Sequence, residues 1–129
     1  MVQKIALIAA AGAAGALARY GLTGLTQRLA DRFGGGEFPW ATAVVNIVGC
    51  FVVGVLWMAA EHRLTLTPPA RAAIFVGFLG AFTTFSTYVL ETGHLMRDAQ
   101  WWPAVGNIAL QNGVGLAALV AGWWVGRTI

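Results

Sequence analysis

Four long apolar runs with almost no charge constrain this chain more than any other feature of its sequence. Residues 38–60, 72–90 and 99–126 contain no Asp, Glu, Lys or Arg, and residues 5–26 contain one, Arg19. A helix needs about 20 mainly apolar residues to cross the hydrocarbon core of a bilayer. The runs therefore predict four transmembrane helices, at about residues 4–27, 38–61, 70–96 and 100–126, in a single transmembrane domain that covers residues 1–129.

Composition excludes several classes of function. The chain is 58% hydrophobic and 10% charged, whereas soluble domains average roughly 45–50% and about 25%. Four crossings leave no room for an extramembrane catalytic domain, so we expect no enzyme. The net charge of +3 comes from scattered residues rather than a basic cluster, so nucleic acid is not an expected partner. The chain is predicted to be an all-α integral membrane protein surrounded by membrane lipid.

The distribution of Lys and Arg between the two ends of the predicted helices bears on orientation. The basic residues on one side are Lys4, Arg63, Arg71 and Arg127, and those on the other side are Arg28, Arg32 and Arg97. Lys and Arg accumulate on the cytoplasmic side of membrane proteins, and a count of four against three fixes no orientation. We therefore hypothesise an antiparallel, dual-topology homodimer. A parallel oligomer, oriented by the difference of one charge, stays equally open.

Two polar side chains lie within the first and second helices, where a polar group needs a partner or a function. Arg19 shares a helix face with Gly12 and Gly15, so its charge can point inward and attract an anion, or it can extend to the interface. Asn46, in the middle third of the second helix, has an amide that can donate to a ligand or to another helix. Each residue alone fits both interpretations.

The third run is the most informative part of the sequence. It contains the string Gly77-Phe78-Leu79-Gly80-Ala81-Phe82-Thr83-Thr84-Phe85-Ser86-Thr87-Tyr88. Glycines followed by closely spaced hydroxyl groups weaken a helix, so we predict a break near the centre of this helix. Carbonyl groups freed by such a break can hold a cation such as Na⁺. Phe85 and Tyr88 share a helix face and can turn the positive edges of their rings toward an anion.

The fourth run carries a polar stripe and a motif for close packing. Asn107 and Gln111 lie four residues apart on one helix face, and Gly122 and Gly126 have the spacing of a close helix contact. We interpret Glu91, which follows the third run, as a solvated carboxylate near a helix end. Amide and hydroxyl donors, one arginine and aromatic ring edges together suit a small, strongly hydrated anion that needs hydrogen-bond donors.

These residues resemble one known family, the Fluc (CrcB) fluoride channels. The resemblance covers nearly the whole chain and rests on the motifs Gly15-x-x-x-Arg19-Tyr20, Pro39-Trp40-x-Thr42-x-x-x-Asn46-x-x-Gly49, Gly77-Phe78-Leu79-Gly80-x-x-Thr83-Thr84-Phe85-Ser86-Thr87 and Glu91. Members of this family are small four-helix proteins of the bacterial inner membrane. They form antiparallel dual-topology dimers with two fluoride pores and relieve cytoplasmic fluoride toxicity by passive efflux. The resemblance implies the same fold, partner and transported ion for this chain.

The resemblance also implies roles for particular residues. Asn46 resembles the pore asparagine, Phe85 a phenylalanine whose ring edge meets fluoride, and Arg19 a vestibule arginine. Gly80 and Thr83 match positions whose backbone carbonyls, from both subunits, hold a structural sodium ion. The other fluoride-pore candidates are Thr84, Ser86, Thr87, Tyr88, Asn107 and Gln111. Three of these depart from the family pattern, because Tyr88 stands where a phenylalanine is frequent, Asn107 where a tyrosine is, and Gln111 where a serine is.

Two other functions fit a chain with four short helices. A small multidrug-type dual-topology exchanger would need an acidic residue in the first helix, where this chain has Arg19. A non-conducting structural subunit would use its polar residues only to join helices. Replacing Asn46 or Phe85 would then alter assembly, whereas in a channel it would reduce transport by dimers that still fold.

Overall fold

The computed structural model describes residues 1–62 and 65–129, and these residues form helices and short connections without a strand. Helix α1 spans Val2–Arg32 and α2 spans Trp40–His62. A third helical span covers Pro68–Arg97 and a fourth covers Trp101–Thr128. Each of the four is long and apolar enough to cross a membrane, which confirms the predicted all-helical, four-span architecture. Arg63, which entered the count of basic residues, lies outside the described residues.

The third span consists of two helices separated by a break. Helix α3 runs through Pro68–Ala72, the π-helical stretch Ala73–Leu79 and Gly80–Phe82, and helix α4 spans Phe85–Arg97. Between them Thr83 and Thr84 have extended backbones, with ψ of 158° and 107°. The predicted break near the middle of the span is therefore present. It falls at the hydroxyl residues, whereas both glycines of the string lie within helix.

The ends of the third span follow from local sequence. Thr67 caps α3 by accepting a hydrogen bond from the Ala70 N–H at 3.4 Å, and the two prolines that follow fit the first turn of a helix. Helix α4 ends in a turn in which Gln100 donates its N–H to the Leu95 carbonyl and Ala99 has a φ of 57°. Such a left-handed residue after a helix is usually glycine. Ala99 is therefore strained.

The fourth span, helix α5, is also irregular. It is α-helical over Trp101–Ala109, π-helical over Leu110–Val114 and α-helical again over Gly115–Thr128. A π-turn inserts one residue into a helix and is frequent at functional sites. In this helix the wider turn carries Gln111 and Asn112 and presents both side chains to the same cavity. The sequence did not predict either π-helical stretch.

Glycines set the packing of the bundle. Gly122 and Gly126 of α5 lie against the backbone of α2, where a Cβ on Gly122 would meet the Phe51 carbonyl oxygen and come within 3.0 Å of the Val55 nitrogen. The predicted close contact at these two glycines is therefore present. Helix α1 packs on α3 in the same way, through Gly15 against the Phe78 backbone. The face of α1 that bears Leu17 and Tyr20 remains exposed.

Candidate functional site

Three cavities follow one another along α4. The central cavity, about 410 Å³, lies beside the break and is lined by Asn46, Gly80, Thr83, Thr84, Phe85, Tyr88, Gln111 and Asn112, among others. The arginine cavity, about 540 Å³, lies on the other side of Thr84 and contains Arg19, Thr42, Thr87 and Glu91. The mouth cavity, about 370 Å³, shares Glu91 and Gln27 with the arginine cavity. Adjacent cavities thus extend from the centre of the bundle to the far end of α4.

Asn46 supplies hydrogen-bond partners for the backbone at the break in the third span. Its side-chain Oδ1 accepts a hydrogen bond from the Thr84 N–H at 2.9 Å, and its Nδ2 donates to the Thr84 carbonyl at 3.1 Å. A backbone group left without a partner at this depth would be costly, since no water or lipid group replaces the lost bond. The backbone N–H can only donate, so it also fixes which end of the Asn46 amide is oxygen and which is nitrogen.

A relay of hydrogen bonds runs from Asn46 into the bundle. Asn46 Nδ2 donates to Gln111 Oε1 at 2.7 Å, and Gln111 Nε2 donates to Asn107 Oδ1 at 2.8 Å. Asn107 Nδ2 then donates to the Thr92 hydroxyl at 2.9 Å, and that hydroxyl donates to the Tyr88 carbonyl at 2.7 Å. Asn107, Gln111 and Thr92 are buried. The structure therefore unites Asn46 with both polar residues predicted on the fourth helix.

The two aromatic residues after the break lie side by side. The ring centroids of Phe85 and Tyr88 are 5.6 Å apart, and their planes are tilted by 52°. Both rings line the central cavity, while Phe85 is 76% exposed in the single chain. The Tyr88 hydroxyl accepts a hydrogen bond from Asn112 Nδ2 at 3.2 Å. This bond restrains the tyrosine ring.

The hydroxyl residues at the break divide into two groups. Thr84 caps α4, since its Oγ1 accepts from the Thr87 N–H at 3.3 Å and donates to the Thr87 Oγ1 at 2.8 Å. Thr84 and Thr87 both line the arginine cavity. Ser86 is exposed and lines none of the three cavities described above. The structure thus brings the two threonines to the cavities but leaves Ser86 apart from them.

The break also releases two carbonyl groups. In an α-helix the Gly80 carbonyl would accept from the Thr84 N–H, which here donates to Asn46. The Thr83 carbonyl would accept from the Thr87 N–H, which here donates to the Thr84 hydroxyl. Gly80 and Thr83 both line the central cavity. The two positions expected to supply carbonyl ligands therefore have oxygens without their helical donors.

Glu91 is not the solvated carboxylate near a helix end that the sequence suggested. It lies six residues before the end of α4 and is half-buried between the arginine and mouth cavities. Its Oε1 accepts a hydrogen bond from the Thr42 hydroxyl at 2.7 Å, and its Oε2 is buried without a partner among the described residues. The interpretation was wrong because α4 continues past Glu91 and α2 covers its side chain.

Three residues of this site had no role assigned from the sequence. Thr42 contacts Glu91, Thr92 carries the far end of the relay, and Asn112 restrains Tyr88. Thr42 stands alone in an apolar run, where a threonine is common and usually bonds within its own helix, and Thr92 follows Glu91 beyond the third run. Asn112 follows Gln111 directly, so regular α-helical spacing turns it away from the polar stripe.

Comparisons with known proteins identify the family of this chain. A family model described as "CrcB-like protein, Camphor Resistance (CrcB)" matches residues 6–123. Proteins named "Fluoride-specific ion channel FluC" from Solidesulfovibrio magneticus and Desulforapulum autotrophicum are 48% and 47% identical to this chain over 129 residues. The protein of that name from Nitrosococcus oceani is 45% identical. All three alignments cover 100% of this chain and 100% of the relative.

These relatives settle the class of the protein. They are named as ion channels, which confirms the expectation that the chain is not an enzyme. Four helices able to span a membrane, in an ion channel family, fit a multi-pass protein of the bacterial inner membrane. The family model and the full-length relatives together show that this chain belongs to the CrcB-like family.

Proposed function

We propose that this chain forms a fluoride-selective passive channel that carries fluoride out of the cytoplasm. The observation that carries the proposal is the series of adjacent cavities along α4, lined by amide and hydroxyl groups, in a chain whose relatives are named as fluoride-specific channels. Fluoride is small and strongly hydrated, so a pore must replace its water with hydrogen-bond donors. The Asn46 amide lies at the centre, where its two N–H groups donate to the Thr84 carbonyl and to Gln111, and the Thr87 hydroxyl offers a donor in the arginine cavity.

The start of α4 favours an anion in the central cavity. The first N–H groups of a helix have no partner within it, and the helix dipole is positive at this end. Helix α4 begins at Phe85, which lines the central cavity, so its first turn faces the proposed path. The tilted rings of Phe85 and Tyr88 add positive edges at the same place. An anion beside the break is thus stabilised by backbone and side chain together.

Arg19 extends the proposed path toward the membrane surface. It lines the arginine cavity with Thr42, Thr87 and Glu91, and it belongs to the face of α1 that packs on α3 through Gly15. A fixed positive charge in a vestibule raises the local concentration of anions. We propose that Arg19 attracts fluoride into this cavity, from which Thr84 gives access to the centre.

We propose that two copies assemble as an antiparallel homodimer with two pores. Phe85 and much of α1 are exposed in the single chain, so the central cavity lacks one wall that a second copy would supply. The near balance of basic residues lets the chain insert in both orientations. A Gln3→Cys variant in a Cys50→Ser background tests this. An impermeant thiol reagent added to intact cells should label about half of the protein, whereas labelling of all or none would contradict dual topology.

We further propose that a structural sodium ion lies at the dimer interface. The Gly80 and Thr83 carbonyls have lost their helical donors, and carbonyl oxygens of unwound helices are established ligands for Na⁺. Two copies together offer four such oxygens. Replacing sodium by a large organic cation during purification should lower the midpoint of thermal unfolding, and returning sodium should restore it. An unchanged midpoint would argue against the ion.

The channel is tested by fluoride release from liposomes that contain the purified protein, followed with a fluoride electrode, with chloride release measured in parallel. We expect rapid fluoride release without chloride release. A Phe85→Leu variant removes the ring at the break and should slow release while the dimer persists. Phe51→Leu, a matched change at a residue that lines none of the three cavities, should leave the rate unaltered. Absence of fluoride release from folded wild-type protein would refute the proposal and leave an exchanger or a structural subunit.

A further inference from the structure

Both donor hydrogens of Asn46 are already engaged in this structure. One N–H of Nδ2 is directed at the Thr84 carbonyl at 3.1 Å and the other at Gln111 Oε1 at 2.7 Å. The Thr84 bond belongs to a two-bond pairing that holds the broken backbone, because Thr84 also donates its N–H to Asn46 at 2.9 Å. The bond to Gln111 is therefore the one that Asn46 can exchange for an anion without opening the break.

Gln111 is positioned to accept the second N–H of Asn46. It lies on the π-helical turn of α5, and its Nε2 is anchored by Asn107 at 2.8 Å. Because the orientation of the Asn46 amide is fixed, its Nδ2 needs an acceptor on Gln111. Gln111 therefore directs Oε1 toward Asn46 and Nε2 toward Asn107. Gln111 also lines the central cavity, 8% exposed, so its side chain borders the space into which an anion would come.

We propose that the Gln111 side-chain oxygen is a built-in competitor of the transported anion for the Asn46 amide. When the central cavity holds no anion, Gln111 Oε1 accepts the second N–H of Asn46. An entering anion takes that N–H, and the Gln111 carbonyl turns away while its nitrogen end stays near Asn107. Gln111 thus acts through Asn46 as a positioning residue that weakens anion binding at this point of the path. This inference rests on the proposed fluoride channel.

The test is the fluoride concentration that gives half-maximal release, measured separately from the maximal rate. Gln111→Met keeps the length of the side chain without an acceptor, and Gln111→Ser leaves a hydroxyl too short to replace Oε1. Both variants should lower the half-saturating fluoride concentration by roughly three- to tenfold, as expected for removal of one competing hydrogen bond. Asn112→Leu is the matched comparison, because it removes an amide from the same cavity whose bonds go to Tyr88 and Ile108. Asn112→Leu should change the half-saturating fluoride concentration less than either Gln111 variant does.

Three results would overturn the inference. A half-saturating concentration that rises in both Gln111 variants would make Gln111 a donor to the anion. A lower maximal rate with no change in that concentration would make its role structural, and an equal shift in Asn112→Leu would reflect only the polarity of the cavity. Wild-type protein without fluoride release would instead refute the channel itself, so the two failures are distinguishable.

A measurement on the unaltered sequence keeps the inference testable if both variants misfold. In protein labelled with ¹⁵N at Asn and Gln, fluoride should shift the side-chain amide signals of both Asn46 and Gln111. A shift of the Asn46 signal with the Gln111 signal unmoved would overturn the exchange of acceptors.

Discussion

Replacing Asn46 by leucine tests whether this side chain holds the break in the third span together. The change preserves most of the volume and removes three hydrogen bonds, two to the Thr84 backbone and one to Gln111. Side-chain hydrogen bonds between membrane helices contribute about 0.6 kcal/mol on average and about 1.7 kcal/mol at most. The free energy of unfolding should therefore fall by about 2 kcal/mol, and by about 5 kcal/mol if all three bonds are of the strongest kind.

The assay is unfolding of the purified protein in detergent, followed by circular dichroism. Asn112→Leu is the matched control, since Asn112 is exposed and its bonds go to the Tyr88 hydroxyl and to its own helix. We expect this control to lower the free energy of unfolding by less than about 1 kcal/mol. Hydrogen exchange gives a local readout, because the Thr84 amide should exchange faster in Asn46→Leu than in wild type. Equal destabilisation by both variants, together with an unchanged rate at Thr84, would refute the reasoning.

Three further changes test the packing and the local geometry by the same unfolding assay. Ala99→Gly should raise the free energy of unfolding by about 0.5–1 kcal/mol, since Ala99 has a φ of 57° that glycine adopts freely, and no gain would contradict the assigned strain. Gly122→Ala should cost about 1–3 kcal/mol by overpacking α5 on α2, while Gly24→Ala, which has nothing within 4 Å, should be neutral or stabilising. Thr42→Val removes the hydroxyl that donates to Glu91 and should lower the free energy of unfolding by about 1–3 kcal/mol. In a Glu91→Met background the same change should lower it by less, because the hydrogen bond is already absent. An equal effect in both backgrounds would show that the loss does not come from this hydrogen bond.

The helical spans and the break could be predicted because each leaves a local signature. An uncharged run of sufficient length has few alternatives to a membrane helix, and Thr83 and Thr84 offer hydroxyl groups that compete with the helical ladder. The exact position of the break was less accessible. It depends on Asn46, 38 residues earlier, whose amide replaces the backbone partners that Thr84 loses.

The rest of the site depends on contacts that spacing along one helix cannot show. Glu91 looked solvated because its own helix gives no partner, and the Thr42 hydroxyl that binds it comes from α2. Asn112 was missed because the π-turn in α5 alters the helical register by one residue, and the apolar residues around it carry no mark of that turn. Thr92 was missed because the relay reaches it through Asn107 on another helix.

The Thr92 hydroxyl determines which substitutions the hydrogen-bonded relay can tolerate during evolution. The Asn46 amide cannot exchange its oxygen and nitrogen ends, because the Thr84 N–H donates to its oxygen. The Thr92 hydroxyl, in contrast, can either donate or accept a hydrogen bond. Thr92 can therefore reverse its bond when a neighbouring amide is replaced by a carboxylate or flips. Relatives with amides at the positions of Asn107 and Gln111 should keep a serine or threonine at position 92. Relatives that have lost those amides are free to carry alanine or valine there.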